Sequence, residues 1–331
     1  MYNSKKRYLI LLLLIPLIAT SLVSFISIKK ELTNSTLSVR HEVAATLAVA
    51  LSENMDRVIG VGENYAAQNE LRKNVENKDW TKVGTLLNIL YNTNKENFID
   101  RIYLTDSEGV VRADTQSSTS TIGKSANTRD WFSGLKQTGK PFVSSVYKSG
   151  VGDKKLVVAI SLPVLLSNGD LGGIMVLQVQ THHFDDLIKD IHLGQNGFAY
   201  IVDQSGNIVT HPKYQSSTEV VKYADVPIVQ KVLSGQSGVE INYNPIEKEE
   251  RLTAYQYVNR FGWGVLVPEP TSTAFNARNE TLSILILNRL VVVLYLIAIY
   301  LFTKYYYTRK LLDSLNNPEA STKTKAKVKK T

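Results

Sequence analysis

Cysteine is absent from this 331-residue chain. That excludes a thiolate nucleophile, Cys-ligated zinc and a thiol redox switch, while the length is ample for a core that needs no disulfide staple. A Gly-rich phosphate loop, a nucleophile elbow and an HExxH helix are also lacking, so the sequence offers no catalytic constellation and an enzyme is not expected. No cofactor is implied. Histidine is scarce, with five residues. His182 and His183 are adjacent on an expected strand end, where side chains point opposite ways, and His192 and His211 lack ligand spacing, so no metal site is expected.

Most of the chain also lacks an excess of either charge. The formal net charge is +8, but Lys5, Lys6 and Arg7 supply +3, and the tail from Thr303 onward carries eight Lys or Arg against Asp313 and Glu319. Residues 8–302 are close to neutral, which argues against nucleic acid as a partner.

Two apolar runs stand beside those basic ends: "YLILLLLIPLIATSLVSFISI" (Tyr8–Ile28) and "LSILILNRLVVVLYLIAIYLF" (Leu282–Phe302). Each has the roughly 20 residues that a helix needs to cross a bilayer. The first also suits a secretory signal, but its apolar stretch exceeds a signal core and no small-x-small cleavage site precedes Lys29, so an uncleaved anchor is expected. Asn288 and Arg289 interrupt the second run.

Basic flanks stay cytoplasmic. The expected order is therefore a cytoplasmic N-terminus (1–7), a first span (8–28), an extracytoplasmic domain (29–281), a second span (282–302) and a cytoplasmic basic tail (303–331). The tail, with Tyr305, Tyr306 and Tyr307 as an interfacial belt, is expected to meet membrane lipids.

Proline is missing between Lys29 and about Asn74, and Leu32, Val43, Leu47, Leu51 and Met55 recur at helical spacing, which predicts one long helix rising from the membrane. "NKDWTKVGTLLNILYNTN" predicts a shorter helix capped by Asp79 or Asn77. The period then changes to two. "FIDRIYLTDSEGVVRADT" reads as strand, turn, strand, and strands follow at "PFVSSVYK", "KLVVAISLPVL" and "LGGIMVLQVQ".

The chain also repeats itself. Tyr103, Asp106 and Gly109 recur as Tyr200, Asp203 and Gly206 at a constant offset of 97 residues. The second copy continues into a helix at "DVPIVQKVLSG" and strands at "GVEINYN", "RLTAYQYV" and "GWGVLVPE". The expected fold is mixed α/β (α+β): a long N-terminal helix and two tandem modules, about 75–183 and 184–270, each an antiparallel sheet with its helices on one side. Asp106 and Asp203, at equivalent strand ends, are expected to make turns.

The long helix, "RDWF", "GDLGGIMVLQVQ", "NGFAYIVDQSGNIVTHP" and "GWGVLVPEP", in this order between two apolar runs, resemble a double Cache (dCache) domain. This is the PAS-like extracytoplasmic sensor of bacterial chemoreceptors and sensor kinases, and the likeness covers roughly residues 30–280. It implies a ligand pocket in the membrane-distal module. The amino-acid-binding subgroup uses an Arg-x-Trp-aromatic motif, a later Tyr and an Asp for the ligand ammonium. Arg129, Trp131 and Tyr147 match in kind and order; Phe132 lacks a hydroxyl, Lys124 stands where a Tyr is expected, and Gln178 stands at the Asp position.

An arginine fork grips a carboxylate and an aromatic walls it. A buried ammonium facing Gln178 would lack an anion. The expected ligand is thus a small polar metabolite, a carboxylate or a neutral molecule, and not an ordinary α-amino acid. The competing reading is that Trp131 and Phe132 are core, with Arg129 paired to Asp130 or Asp114 at the surface.

Only 29 residues follow the second run, too few for a signalling or catalytic region. The expectation is a membrane sensor acting through a partner chain, or as a homodimer. The alternatives are an envelope scaffold with a vestigial pocket and a truncated chemoreceptor or sensor kinase.

Overall fold

The computed structural model describes residues 2–94, 98–116, 121–151, 154–191, 193–215 and 218–316, without the side chains of 2–14, 17 and 314–316. His192 and the last part of the basic tail lie outside the described residues. The chain forms two compact units, Ser35–Ala274, and Met1–Asn34 with Phe275–Thr331.

The larger unit begins within α1 (Tyr2–Ala66), followed by α2 (Asn69–Glu76) and α3 (Trp80–Asn94). The single long helix expected to reach Asn74 is interrupted. Gln68 adopts φ −62°, ψ 131°, and the chain restarts as α2, whose Arg72 donates to the carbonyls of Leu165 (2.6 Å) and Leu166 (2.8 Å). Asp79 caps α3 through the Lys82 amide at 3.2 Å, one of the two capping choices expected.

The first sheet comprises β1 (Arg101–Asp106), β2 (Val111–Asp114), β3 (Phe142–Val143), β4 (Tyr147–Lys148), β5 (Leu156–Leu165) and β6 (Leu171–Gln180), with α4 (Asp130–Thr138) between β2 and β3. Its order is β2-β1-β6-β5-β3, with β4 also on β5. A 3-10 turn (Thr181–Phe184) and α5 (Asp185–Ile188) lead to the second sheet: β7 (Tyr200–Val202), β8 (Ile208–Thr210), α6 (Pro227–Leu233), β9 (Gly238–Asn244), β10 (Glu249–Val258) and β11 (Trp263–Pro270). Its order, β8-β7-β11-β10-β9, is that of the first, and every described pairing is antiparallel.

The repeat extends to single bonds. The bulge between Leu104 and Thr105 recurs between Ile201 and Val202, and the bridge Val110 to Ser125 recurs as Asn207 to Lys222. Gly109 and Gly206 both take positive φ, 86° and 75°. Each closes its turn by donating to the carbonyl of the Asp three residues earlier, a conformation that glycine adopts without steric cost.

Alternation sorts the strands' side chains. Ile102, Leu104, Met175, Leu177, Val158 and Ile160 pack with Leu51 and Met55 of α1 and with α2 and α3, in a core that continues to Trp263, Val265 and Val267 of the second sheet. The opposite face is covered too. Trp131 and Leu135 of α4 pack on Tyr103, Ala159 and Val176, and Ile228, Val229 and Val232 of α6 pack on Tyr200 and Leu266. The expectation of helices on one side is thereby corrected: runs such as "IMVLQV" are apolar at both parities and bury both faces.

The smaller unit contains α8 (Asn276–Asn316), reached from β11 through α7 (Thr271–Ala274). Arg278 donates to Thr33 at 3.2 Å and lies 4.1 Å from the ring centroid of Phe275. Among the described residues, one helical stretch, Asn276–Asp313, is long and apolar enough to cross a membrane.

His211 is buried in the second sheet's core among Phe198, Tyr200, Tyr214 and Tyr223, ring centroids 4.8 to 5.7 Å away. Burial pulls its pKa from 6.5 down to about 4, assisted by the charges of Lys213 and Arg251. The unfolded chain therefore takes up this proton near pH 6.5 and the folded chain only near 4, so protonation in that window favours unfolding. Thermal unfolding across the window should show a loss of stability on acidification of up to about 3 kcal/mol from this residue, and His211→Phe should flatten the slope.

Candidate functional site

The face of the first sheet that α4 covers only in part carries Arg101 and Tyr103 from β1 and Gln178 from β6. Arg101 and Gln178 are register partners. Both are buried, with 5% and 4% exposure, and a buried guanidinium needs an anion. Asp114 supplies it. Tyr103 and Asp114 are paired across β1 and β2, and Asp114 accepts from Arg101 Nε at 3.0 Å and again from Nη2. Arg101 Nη1 donates to Gln178 Oε1 at 3.4 Å, Gln178 Nε2 donates to the Tyr147 hydroxyl at 2.7 Å, and the Arg101 guanidinium lies 4.7 Å from the Tyr103 ring centroid.

The hydroxyls of Tyr103 and Tyr147 are held protonated by burial, which raises both above the usual phenol value. Each remains a donor at neutral pH.

At the N-terminus of α4, Arg129 is exposed and its guanidinium lies 5.1 Å from the ring centroid of Tyr147. It pairs with neither Asp130 nor Asp114. Asp130 accepts from the Trp131 amide (2.8 Å) and the Ser145 amide (2.7 Å), and Asp114 is taken by Arg101. Among the described residues, Arg129 makes no ion pair. Trp131 is fully buried, 5.9 Å from Tyr103 in an edge contact, and its indole N–H has no acceptor. Phe132 is half-buried beside Gly109, where a Cβ would lie 2.9 Å from the phenylalanine ring. Lys124 is exposed, and its backbone bonds Val111 and Thr121.

Beyond Gln178 lies a cavity of about 150 Å³ lined by Asp100, Arg101, Lys155, Gln178 and Gln180 among others. Of the six residues expected at the site, Gln178 alone lines it. Asp100 is engaged by the Gln180 amide (2.7 Å), the Gln180 side chain (2.9 Å) and His183 (3.1 Å).

His182 and His183 do not point opposite ways. They lie on a 3-10 turn, not a strand, which stacks their rings 4.1 Å apart.

Arg101 and Asp114 were not singled out from the sequence. The signal for Arg101 was its place two residues before Tyr103, on one strand face; Asp114 becomes its partner only through the β1–β2 register.

The fold agrees with comparison to known proteins. A sequence profile of the Cache domain family matches residues 27–277. The chain belongs to the Cache domain family. The ligand-binding domain of the Pseudomonas aeruginosa chemoreceptor PctB, solved with L-Gln, superposes with a TM-score of 0.56 at 17% identity, over 72% of this chain and 92% of that one. The periplasmic sensory domain of the Campylobacter jejuni chemoreceptor Tlp1 gives 0.58 at 12%, over 74% and 98%. A probable methyl-accepting chemotaxis protein of Bacillus thuringiensis is 21% identical over 158 residues, 47% of this chain but 22% of that protein.

The second Cache sheet is arranged differently: its buried arginine is Arg251 of β10, paired with Glu247 at 2.5 Å and with Glu249, and 5.1 Å from the Phe198 ring centroid. At the offset of the repeat, Arg101 becomes Phe198 and Asp114 becomes His211, both in the aromatic cluster described above.

Removing one member of a buried ion pair leaves the other uncompensated. Asp114→Ala should therefore cost about 3 kcal/mol or more, read as a lowered denaturation midpoint. The double change Arg101→Met with Asp114→Leu should recover most of that loss.

Proposed function

We propose that this Cache protein is a two-pass membrane sensor that binds a small polar metabolite carrying a carboxylate on its first sheet, at Arg129, Tyr147 and Gln178. The observation that carries this reading is the exposed guanidinium of Arg129, which lies 5.1 Å from the Tyr147 ring centroid and meets no carboxylate among the described residues. A carboxylate is the group that the forked donors of an arginine suit.

Trp131 and Phe132 contribute as packing, which holds the α4 N-terminus in place, and Lys124 is an exposed cation on the segment that leads to α4. Gln178 has its oxygen toward Arg101 and its nitrogen on Tyr147, so it offers no anion to a ligand ammonium. This favours a carboxylate without an α-amino group.

Thermal unfolding of the full chain in detergent, against single mono- and dicarboxylates, amides and amino acids, tests the reading. A ligand at a hundred times its Kd adds about 2.7 kcal/mol, a rise of roughly 5–10 °C for a domain of this size. Arg129→Ala should abolish that rise and leave the unliganded melting temperature within about a degree, because the side chain is exposed. A large fall without ligand would make Arg129 a structural residue instead.

The membrane arrangement follows from the charge pattern, with both basic ends on the cytoplasmic side and Ser35–Ala274 outside. The chain has no cysteine of its own, so single cysteines report cleanly. In intact cells, an impermeant maleimide should label Gly123→Cys and leave Lys310→Cys unlabelled; the reverse would overturn the topology.

A further inference from the structure

Asp106 and Asp203 occupy the same point of the repeat and fold the same turn. Asp106 Oδ1 accepts from the amides of Glu108 (3.1 Å) and Val110 (2.9 Å), and Asp203 Oδ1 from those of Ser205 (2.8 Å) and Asn207 (2.9 Å). The second oxygens differ. Asp106 Oδ2 is held by Arg112 at 2.7 Å. The equivalent position in the second copy is Val209, which leaves Asp203 without a local cation. Its Oδ2 accepts from the Asn207 side chain at 2.8 Å and, across to the first sheet, from the Val146 amide at 2.6 Å.

Val146 precedes Tyr147, on whose ring Arg129 rests. The amide before it, Ser145, donates to Asp130, next to Arg129, and the Ser145 hydroxyl meets that of Ser205 at 2.7 Å. Gln204 completes the contact, donating to the Val143 carbonyl at 3.1 Å and accepting from the Trp263 indole at 2.9 Å. Asp203 is fully buried, where a carboxylate facing an N–H is a short, directional and strong interaction.

We infer that Asp203 is a positioning residue for the site on the first sheet: carried by the second sheet, its carboxylate fixes the Val146 N–H and thereby the Tyr147 ring and the Arg129 that lies on it. The inference rests on the reading of Arg129 and Tyr147 as ligand-binding, but it makes a separate claim about what holds them. A ligand that shifts Tyr147 must shift the amide that Asp203 grips, and with it the turn whose Gln204 is bonded to Trp263. Trp263 begins β11, the strand that continues through α7 into α8. The bonded contacts thus run from Tyr147 to Trp263, a residue of the core shared with α1.

Asp203→Asn tests it without dismantling the turn, since the amide oxygen still accepts from Ser205 and Asn207 while an NH₂ group confronts the Val146 N–H. Hydrogen exchange of the full chain in detergent should quicken by about tenfold or more at Val146 and Tyr147, with exchange in α1 and α3 unchanged. Asp106→Asn, the matched change in the other copy, should leave Val146 and Tyr147 as they were. Any carboxylate found to bind should bind Asp203→Asn about tenfold more weakly. In the unsubstituted protein, the Val146 amide proton, identified by its loss in Val146→Ile, should resonate downfield of the other valine amides; this holds even where Asp203→Asn fails to fold. The inference is overturned by an ordinary Val146 shift, by unchanged exchange at Val146 and Tyr147, or by loosening that is equal across both sheets. None of the exchange and shift measurements requires a ligand, so they stand apart from failure of the binding reading itself.

Discussion

The seam along α1 is the contact on which the rest of the structure depends. Leu47, Leu51, Met55, Val58 and Ile59 are almost wholly buried and belong to one core that includes strands of both sheets. A single helix thereby serves two sheets. Each buried leucine in such a seam is worth about 2–5 kcal/mol against alanine, and the apolar spacing leaves no choice of face. Ion pairs reinforce the attachment to the second sheet: Arg40 with the buried Glu269 at 2.7 Å and Asp56 with Arg260 at 2.7 Å. Gly62 is small for the same reason, since a Cβ there would lie 2.6 Å from Leu162 and 2.8 Å from Leu177. Because α1 to α3 take one face of the first sheet, polar groups of its strands are gathered on the other.

On that other face the two copies have diverged. The first spends its strand positions on charge, with Arg101, Asp114 and Gln178, and needs a partner for every one of them. The second places aromatic rings and His211 at those positions and carries its buried arginine on β10 instead, Arg251 paired with Glu247 and Glu249 beside Phe198. The same exchange of polar for apolar residues occurs on the strands that follow the turns, where Arg112 of β2 is Val209 of β8. A packed second sheet gives a firm support from which Asp203 reaches the first. Unequal substitution at equivalent positions thus gives two sheets of one topology different chemistry.

Much of this fold was legible because it follows from local pattern. Alternation marked the strands, "DSEG" and "DQSG" marked the turns, and the offset of 97 residues disclosed the repeat. The break at Gln68 was not legible, because no Gly or Pro marks it and the cause is tertiary: α2 turns aside to bring Arg72 to the carbonyls of Leu165 and Leu166. The double-sided burial was missed because the expectation gave the sheet strands one covered face, although residues apolar at both parities mark a strand buried on both. In the site, Arg129 and Tyr147 came from a motif and are brought together. Arg101 and Asp114 did not, since thirteen residues and a sheet register separate them. The pairing of His182 with His183 was misread because a 3-10 turn has a different side-chain direction from a strand.

Charge accounting in this corner points to the character of the ligand. Arg101 is the deeper cation, but Asp114 takes two of its nitrogens, so the buried pair is neutral and serves to hold Gln178 and Tyr147 in orientation. Asp130, the nearest carboxylate in sequence to Arg129, has both oxygens bound to backbone amides, which keeps it from closing on its neighbour. Arg129 is left as the cation whose forked donors no protein carboxylate meets among the described residues. On the proposed reading, an ammonium group arriving beside Arg129 would meet a like charge, with the Gln178 amide already oriented by Arg101 and Tyr147. On the same reading, a carboxylate would find Arg129 held 5.1 Å from the Tyr147 ring centroid, at little cost in side-chain freedom.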